Sequence, residues 1–439
     1  MDIDVYLSTI ENTNPHKHYG KVLRLVGLMI ESKGPVAKVG EVCYIHSENK
    51  NKPPILSEVV GFNNEKIILM PYAEVNEIGP GCLVEATGKP LMVRVGRSLI
   101  GKVIDSLGNC LDESEFPKGL TKFETTQSAP NPLTRSPISK PIQIGIKAID
   151  GLLTVGEGQR IGIFAGSGVG KSTLLGMIAR NSNADMNVIA LIGERGREVR
   201  EFIENELGEE GLNRSIVVAA TSDQPALMRI RGAYTATAIS EYFRNLGFKV
   251  NLMMDSITRV AMAQREVGLA IGEPPTTKGY TPSVFSILPK LLERTGTSRE
   301  GSITAFYTVL VDGDDMNEPI ADAVRGILDG HFVLDRKLAE KAHFPAINIL
   351  KSISRVMNQV TDSDHLKLAQ QIRTLLSIYE ENSELIQIGA YKKGTNQKID
   401  EAITFYPIIK SFLKQNFTEY VSFDETKNLM NEILSGGAR

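Results

Sequence analysis

A glycine-rich segment at residues 165–172, with the sequence AGSGVGKS, could bind the phosphates of a nucleotide. It matches the pattern G-x-x-x-x-G-K-[ST] except that Ala165 stands at the first position, which replaces one small residue by another. The segment follows an apolar run at 161–164 and precedes a helical run at 173–179. Glycines let backbone N–H groups converge on phosphate oxygens, and the N-terminus of the following helix adds its dipole. A glycine-rich turn without a ligand is the alternative, and the flanking strand and helix disfavour it.

The loop predicts both nucleotide and metal contacts. The expected nucleotide contacts are Gly166, Ser167, Gly168, Val169, Gly170, Lys171, Ser172 and Thr173. We expect the Lys171 ammonium to reach the β- and γ-phosphates, and the Ser172 hydroxyl to coordinate Mg²⁺. A second magnesium ligand, acting through water, is expected at Asp255, which ends the apolar run Val250–Met254. An acid at the carboxyl end of a strand lies where doubly wound sheets bind ligands.

A third apolar run, Val188–Ile192, leads into a charged stretch that could act on water. The stretch is GERGRE at residues 193–198. Hydrolysis needs a group that orients or deprotonates the attacking water, and Glu194 stands at a strand end beside the phosphate loop. Arg195 could contact the γ-phosphate. From the residues alone, a cluster of solvated charges remains the alternative.

Length and composition exclude several classes of protein. The 439 residues predict two to four domains, and 42% hydrophobic with 23% charged residues provide material for a core. A formal charge of −3 provides no broad attraction to nucleic acid or anionic membranes. Three scattered cysteines indicate reduced thiols, as in a cytosolic protein. The longest uncharged apolar stretch, about 303–311, is too short to span a membrane, so we expect a soluble chain.

The hydrophobic pattern indicates an α/β protein and divides the chain into regions with different predicted secondary structure. Short apolar runs between turn residues in 21–95 predict a small antiparallel barrel or sandwich. Prolines between 130 and 141 indicate an extended connector. Strand-like and helical runs then alternate, which predicts a parallel sheet covered by helices, and the chain after 363 is mostly helical. The expected divisions are 1–20, 21–95, 96–362 and 363–439.

The first eleven residues form a separate amphipathic pattern. Ile3, Tyr6, Leu7 and Ile10 fall on one helical stripe. Because so short a helix is unstable alone, it must pack on its own barrel or dock on a partner.

Several further phrases resemble the hexameric ATPases of the rotary ATP synthase group. They are IGKVIDSLG at 100–108, GIKAIDGL at 145–152, PAIN at 345–348 and SISR at 352–355. The resemblance covers essentially the whole chain, with the phrases in the family's order. It implies an N-terminal β-barrel, a central P-loop (RecA-like) ATPase domain and a C-terminal helical domain.

Within that group the chain resembles the flagellum-specific type III protein-export ATPases. The phrases that carry this likeness are DQPALMR at 223–229, GEPPTTKGYTPSVF at 272–285 and DDMNEPIAD at 314–322. The resemblance therefore implies a Mg-ATP hydrolase that energises export of flagellar proteins. Injectisome export ATPases share much of this pattern and remain the alternative. A catalytic subunit of a rotary ATPase is a less favoured alternative.

The resemblance also implies roles for single residues. Glu194 corresponds to the catalytic carboxylate, and Arg195 and Arg259 correspond to arginines near the γ-phosphate. Arg355 corresponds to an arginine finger that enters the neighbouring subunit's site, with an interface salt bridge as the alternative. Phe344 corresponds to the aromatic side chain that stacks on adenine, with plain core packing as the alternative.

The resemblance further implies an assembly with several partners. Because one chain carries both Glu194 and Arg355, it can form six equivalent sites, so we expect a homohexamer. The family implies a stator-like regulator at the N-terminal helix and a stalk protein in the ring pore. The loop 272–280 would face that pore, unless it is an ordinary surface turn. The remaining expected partners are an export gate and chaperone–cargo complexes. The ring would lie at the cytoplasmic side of the membrane and would associate with that membrane only through its partners.

Two other classes are disfavoured by particular residues. A ring-shaped transcription terminator would need basic and aromatic residues in its N-terminal domain, and 21–95 shows no such cluster, so no nucleic-acid partner is expected. A purely structural nucleotide-binding subunit would not need Glu194.

Overall fold

The computed structural model describes residues 17–49, 51–75, 78–112, 116–311, 313 and 315–436. The helix expected at residues 1–11 lies outside these ranges. Among the helices within them, none combines the length and apolar character that crossing a membrane requires.

The N-terminal part is a closed barrel of six antiparallel strands. The strands are β1 (Tyr19–Val26), β2 (Met29–Lys33), β3 (Glu41–Ile45), β4 (Ile55–Asn63), β5 (Lys66–Pro71) and β6 (Leu83–Pro90). They pair in the order β1-β2-β5-β4-β3-β6, and β6 closes on β1. Alternation along the strands buries Ile30, Val59 and Leu69 inside the barrel. The predicted barrel is therefore confirmed.

The last apolar run of the stretch 21–95 does not belong to the barrel. It forms β7 (Met92–Val95), which pairs with β9 (Thr121–Glu124) as a separate two-stranded sheet. Between them, β8 (Val103–Ile104) joins the edge of the central sheet. Periodicity alone identifies such a run as a strand but carries no information about its pairing partner.

The central part is a sheet whose strands are mainly parallel. Its strands are β10 (Arg160–Ala165), β11 (Met186–Ile192), β12 (Ser215–Ala220), β13 (Lys249–Asp255), β14 (Gly296–Thr297), β15 (Ser302–Leu310), β16 (Gly330–Leu334) and β17 (Ile353–Ser354). The order is β17-β16-β10-β15-β13-β11-β12-β8, with β14 and β17 antiparallel to their neighbours. Every residue of β11 is buried, because helices cover both faces of a parallel sheet. The carboxyl ends of β10, β15, β13 and β11 consequently meet at one edge.

Ten helices surround this sheet within the described ranges. They are α1 (Lys147–Leu152), α2 (Lys171–Asn181), α3 (Gly196–Glu201), α4 (Gly208–Leu212), α5 (Ala226–Asn245), α6 (Ile257–Ala270), α7 (Pro282–Leu292), α8 (Pro319–Ile327), α9 (Arg336–Glu340) and α10 (Met357–Val360). A π-helical segment, Phe202–Leu207, joins α3 to α4. Helix α5 ends before Gly247, whose positive φ of 89° closes the helix as expected for a C-terminal glycine.

The C-terminal part is helical, as the sequence predicts. Its helices are α11 (Ser363–Glu381), α12 (Ser383–Gln387), α13 (Gln397–Leu413) and α14 (Phe423–Gly436). The sequence pattern predicts two separate helical runs, 398–404 and 407–413, but α13 spans both and passes through Pro407 without a break. A proline costs an interior helix about 3 kcal/mol, and burial of Phe405, Ile409 and Phe412 on the same helix offsets it.

A buried ion pair joins the barrel to the central domain. Glu58 of β4 accepts hydrogen bonds from the Tyr72 hydroxyl at 2.5 Å and from Arg231 Nε of α5 at 2.7 Å. A second guanidinium nitrogen of Arg231 contacts the other carboxylate oxygen. Only 5% of the Glu58 side chain is exposed, so its charge depends on these partners for solvation.

Replacing Arg231 should therefore destabilise the protein strongly. The substitution Arg231→Met leaves the Glu58 carboxylate buried with the Tyr72 hydroxyl alone, and such changes cost about 3–5 kcal/mol. Thermal or urea unfolding, followed by circular dichroism, measures the loss. The matched control is Arg229→Met on the same helix, because its partner Glu266 is half exposed and the loss there should be about 1 kcal/mol or less. Equal losses for the two variants would contradict this role of Glu58.

Candidate active site

The phosphate loop connects β10 to α2 at the carboxyl edge of the sheet. Gly168 and Gly170 have φ values of 77° and 89°, a left-handed conformation that glycine adopts without strain. Val169 between them is buried and anchors the loop on the core. Arg336 donates a 3.4 Å hydrogen bond to the Ser167 carbonyl. The backbone is thus arranged before any ligand binds.

Lys171, the first residue of α2, lies between two carboxylates. Its Nζ is 2.6 Å from Asp255 Oδ1 and 3.6 Å from Glu194 Oε1. Burial alone would lower the pKa of Lys171, but the charges of Asp255 and Glu194 outweigh it and raise that pKa above its ordinary value. Thr308 at the end of β15 donates a 2.8 Å hydrogen bond to Asp255 Oδ1. The carboxyl ends of β10, β11, β13 and β15 therefore contribute the Lys171 ammonium and the groups that surround it.

Glu194 follows β11 after a turn that only glycine fits well. Gly193 has a φ of 72°, and a Cβ atom there would lie 2.8 Å from the Cβ of Arg259. Burial, together with the nearby charge of Asp255, raises the pKa of Glu194 to about 7. Its Oε1 atom is buried and accepts no hydrogen bond. A carboxylate in this state can accept a proton from water near neutral pH.

Glu198 on α3 accompanies this carboxylate. A hydrogen bond from Glu194 lowers the pKa of Glu198, so the pair divides into a more acidic and a less acidic member. Two carboxyl groups with separated pKa values are typical of sites that move protons.

A cavity of about 510 Å³ opens in front of these groups. It is lined by Gly166, Ser167, Gly168, Gly170, Lys171, Ser172, Thr173, Glu194, Glu198, Arg195 and Arg259, among others. Next to it, Ser172, Glu194 and Asp255 line a smaller cavity of about 60 Å³. The Nε atom of Arg259 is buried without a hydrogen-bond partner, whereas the Arg195 side chain is 81% exposed. Of the predicted loop contacts, Val169 alone faces the core instead of the cavity.

Phe344 lies at the rim of this cavity. Its ring is 3.5 Å from the position that a Cβ atom on Gly170 would take, and the residue is 45% exposed. Gln415, after α13, donates a backbone hydrogen bond of 2.9 Å to the Phe344 carbonyl. An exposed ring beside the end of the phosphate loop can stack on a planar base, which distinguishes it from a core residue.

Arg355 is a predicted site residue that lies away from both cavities. It follows β17 on the surface, where its backbone N–H donates to the Asp329 carbonyl at 3.0 Å. The guanidinium makes a long hydrogen bond of 3.5 Å to the Arg325 carbonyl and is otherwise exposed.

Sequence reasoning missed several residues that support the site. Glu198 could have been found from the spacing of charges in the stretch 193–198. Thr308, Arg336 and Gln415 reach the site through the packing of strands and helices distant in the chain, and no local pattern signals them.

Comparisons with known proteins identify the three parts of the chain. The family model described as ATP synthase alpha/beta family, nucleotide-binding domain, matches residues 145–354. The beta-barrel domain of the same family matches residues 22–88, and the T3SS EscN ATPase C-terminal domain matches residues 361–432.

Full-length relatives agree with these matches. The chain is 63% identical over 426 residues to the flagellum-specific ATP synthase of Bacillus subtilis, covering 97% of each chain. It is 45% identical to the assembled ATPase EscN of the enteropathogenic E. coli type III secretion system, with a TM-score of 0.89 over 94% of this chain and 100% of that one. A second structure, EscN in complex with its central stalk EscO, gives 44% identity and a TM-score of 0.87 over 94% and 100% of the two chains. The chain therefore belongs to the ATP synthase alpha/beta family, in its group of flagellum-specific and type III secretion ATPases, and it is an ATPase of flagellar protein export.

Proposed function

We propose that the chain hydrolyses Mg-ATP at the interfaces of a homohexamer, and that this hydrolysis energises export through the flagellar secretion gate. One observation carries the proposal. Lys171 and Glu194 line a nucleotide-sized cavity and Asp255 lines the smaller cavity next to it, while Arg355 of the same chain lies on the surface. A second copy would supply the missing arginine.

The residues around the smaller cavity suit a magnesium ion. Ser172, Glu194 and Asp255 contribute hard oxygen donors, which Mg²⁺ prefers. Among the described residues, no group of three or more His, Cys, Asp and Glu side chains has an arrangement that could hold a metal ion by itself, so the ion would depend on phosphate oxygens and water as well. Ser172 and Asp255 would hold it, and when bound it neutralises charge on the phosphates.

The side chains of this chain can perform the remaining chemistry. In the pocket as it stands, the Lys171 ammonium pairs with Asp255 at 2.6 Å and offsets part of the charge of Glu194 at 3.6 Å, and phosphate oxygens would compete for it. Glu194 would orient the attacking water and accept its proton, since its Oε1 atom has no other hydrogen bond. Arg259 and Arg195 would stabilise negative charge on the γ-phosphate, and the Phe344 ring would stack on adenine.

Arg355 would act on the neighbouring subunit as an arginine finger. A finger supplied by a partner increases the rate of phosphoryl transfer by about 10³–10⁵. The relative EscN is described as an assembled ATPase, which supports a ring with one site at each interface.

The partners proposed for this ring follow from its relatives and from exposed segments. EscN binds its central stalk EscO. We propose an equivalent stalk in the pore, contacted by the loop 272–280, which carries the exposed Lys278. The N-terminal helix would bind a stator-like regulator, and the ring would stand at the cytoplasmic face of the export gate and receive chaperone–cargo complexes. The higher identity to a flagellar relative favours the flagellar system over the injectisome.

Turnover should depend on the ionisation of Glu194. Because its pKa is raised to about 7, the group is protonated and inactive below that pH and ionised above it. We expect kcat/KM for ATP to rise through about pH 7 and then reach a plateau. Glu198→Gln should move this rise to lower pH, because Glu198 raises the pKa of Glu194. Rate profiles of the two proteins measure both effects. A profile without this rise, or one that Glu198→Gln leaves in place, would contradict the assignment of Glu194.

The substitution Arg355→Ala should reduce turnover by about 10³-fold or more while nucleotide affinity stays the same. Glu194→Gln should also be inactive, but for a different reason, because this variant keeps the Arg355 finger and lacks the carboxylate that accepts the proton from water. Mixing the two inactive proteins in equal amounts should restore activity, because about a quarter of random interfaces pair an intact pocket with an intact finger. Steady-state hydrolysis of the separate and mixed proteins is the measurement. Full activity of Arg355→Ala alone would refute the shared site.

A cell that carries only the Lys171→Ala allele should produce few or no flagella. The alanine removes the charge that would hold the phosphates, and it also removes the counter-charge of the buried Asp255 carboxylate. The amount of protein in the cell is therefore measured together with the filaments. Electron microscopy of filaments and immunoblotting of the protein test this expectation. Normal filament numbers with normal protein levels would show that hydrolysis at this site is not required for export.

A further inference from the structure

A group of partly buried polar contacts at the beginning of β10 connects this strand to the segment that carries Arg355. Asp329 precedes β16, and its carboxylate accepts hydrogen bonds from the Arg160 backbone N–H at 3.1 Å and from Arg160 Nε at 2.9 Å. Its carbonyl accepts one bond from the Arg355 N–H at 3.0 Å and another from Gln159 Nε2 at 3.0 Å. Asp329 thereby joins the first residue of β10 to the backbone of the proposed finger.

Gln159 and Ser354 provide a second connection beside the first. Gln159 is fully buried, and its Nε2 also donates to Ser354 Oγ at 3.1 Å. Its Oε1 accepts the Gly156 N–H at 2.8 Å, so the orientation of the amide is determined at both ends. Ser354 Oγ donates to the Thr154 carbonyl at 2.7 Å. The serine directly before Arg355 is thus held by the turn that begins β10.

These contacts restrain the backbone of Arg355 and leave its side chain free. Inside the chain the guanidinium makes a long contact with the Arg325 carbonyl and remains exposed. A side chain that must reach into another subunit needs this combination, because a charged group misplaced by about 1 Å can lose about 10²-fold in rate.

We infer that Gln159 and Ser354 are positioning residues for the arginine that this chain presents to its neighbour. The inference rests on the proposed role of Arg355 at the shared site. It also accounts for the phrase SISR at 352–355, in which Ser352 bonds to the Val333 N–H inside the sheet and Ser354 bonds to Gln159. Neither side chain would touch ATP, because Gln159 is fully buried and the Ser354 hydroxyl is bonded inside the chain to Gln159 and to the Thr154 carbonyl.

A double-mutant cycle with Arg355→Ala tests this role. Ser354→Ala and Gln159→Met each remove the hydrogen bond between Gln159 and Ser354 with little change in side-chain volume. Each should lower kcat about 10-fold or more. The KM for ATP and the affinity for a fluorescent nucleotide should stay unchanged. In the Arg355→Ala background the same substitutions should have no further effect on residual single-turnover hydrolysis, because the group that they position is absent.

The matched control is Thr304→Val, an isosteric change at the same edge of the sheet. The Thr304 hydroxyl accepts a 2.9 Å hydrogen bond from the N–H of Gly158, the residue before Gln159. Thr304 lies on β15 and does not contact the segment that carries Arg355 through this bond. This variant should keep the wild-type kcat. Thermal unfolding and hexamer content are measured for every variant, so that loss of fold is recognised directly.

The outcomes separate the two levels of the proposal. Losses that multiply with Arg355→Ala, or equal losses for Thr304→Val, would overturn the positioning role while leaving the finger intact. Wild-type kcat for both Ser354→Ala and Gln159→Met would overturn it as well. If Arg355→Ala itself keeps full activity, the proposed shared site fails first and the positioning role fails with it.

Discussion

The buried ammonium of Lys171 and the two carboxylates beside it form the interaction on which the site depends. Each of these charges alone would be costly at the edge of a packed sheet, and together they compensate one another. The compensation requires that β10, β11 and β13 end side by side, with β15 contributing Thr308. The parallel arrangement of the sheet therefore brings together the groups that are proposed to be catalytic.

Much of this arrangement was predictable from the sequence because the signals are local. The loop 165–172, Asp255 at a strand end and Glu194 after Gly193 each follow an apolar strand, and parallel strands bring their carboxyl ends together. The raised pKa of Glu194 was not predictable, because it depends on burial and on Asp255, which stands sixty-one positions later in the numbering. Contacts of that kind come from packing, which a spacing pattern does not record.

The departures from sequence-based expectation have the same origin. Met92–Val95 has the pattern of a barrel strand and pairs outside the barrel, and α13 continues through Pro407 because its apolar side chains are buried. The connection between Gln159 and Ser354 joins residues far apart in the chain. In each case a tertiary contact selects one of several local structures for which the sequence alone shows nearly equal preference.

The closed barrel has a consequence for the way in which copies of the chain could meet. Each of its six strands is hydrogen-bonded on both sides, so a neighbouring barrel cannot extend it by adding a strand. Neighbouring barrels would therefore meet without pairing their strands, and exposed apolar side chains such as Val36, Val39 and Phe62 are available for contact. Contacts of this kind separate without breaking a backbone ladder, so subunits could be gained and lost while each barrel stays folded.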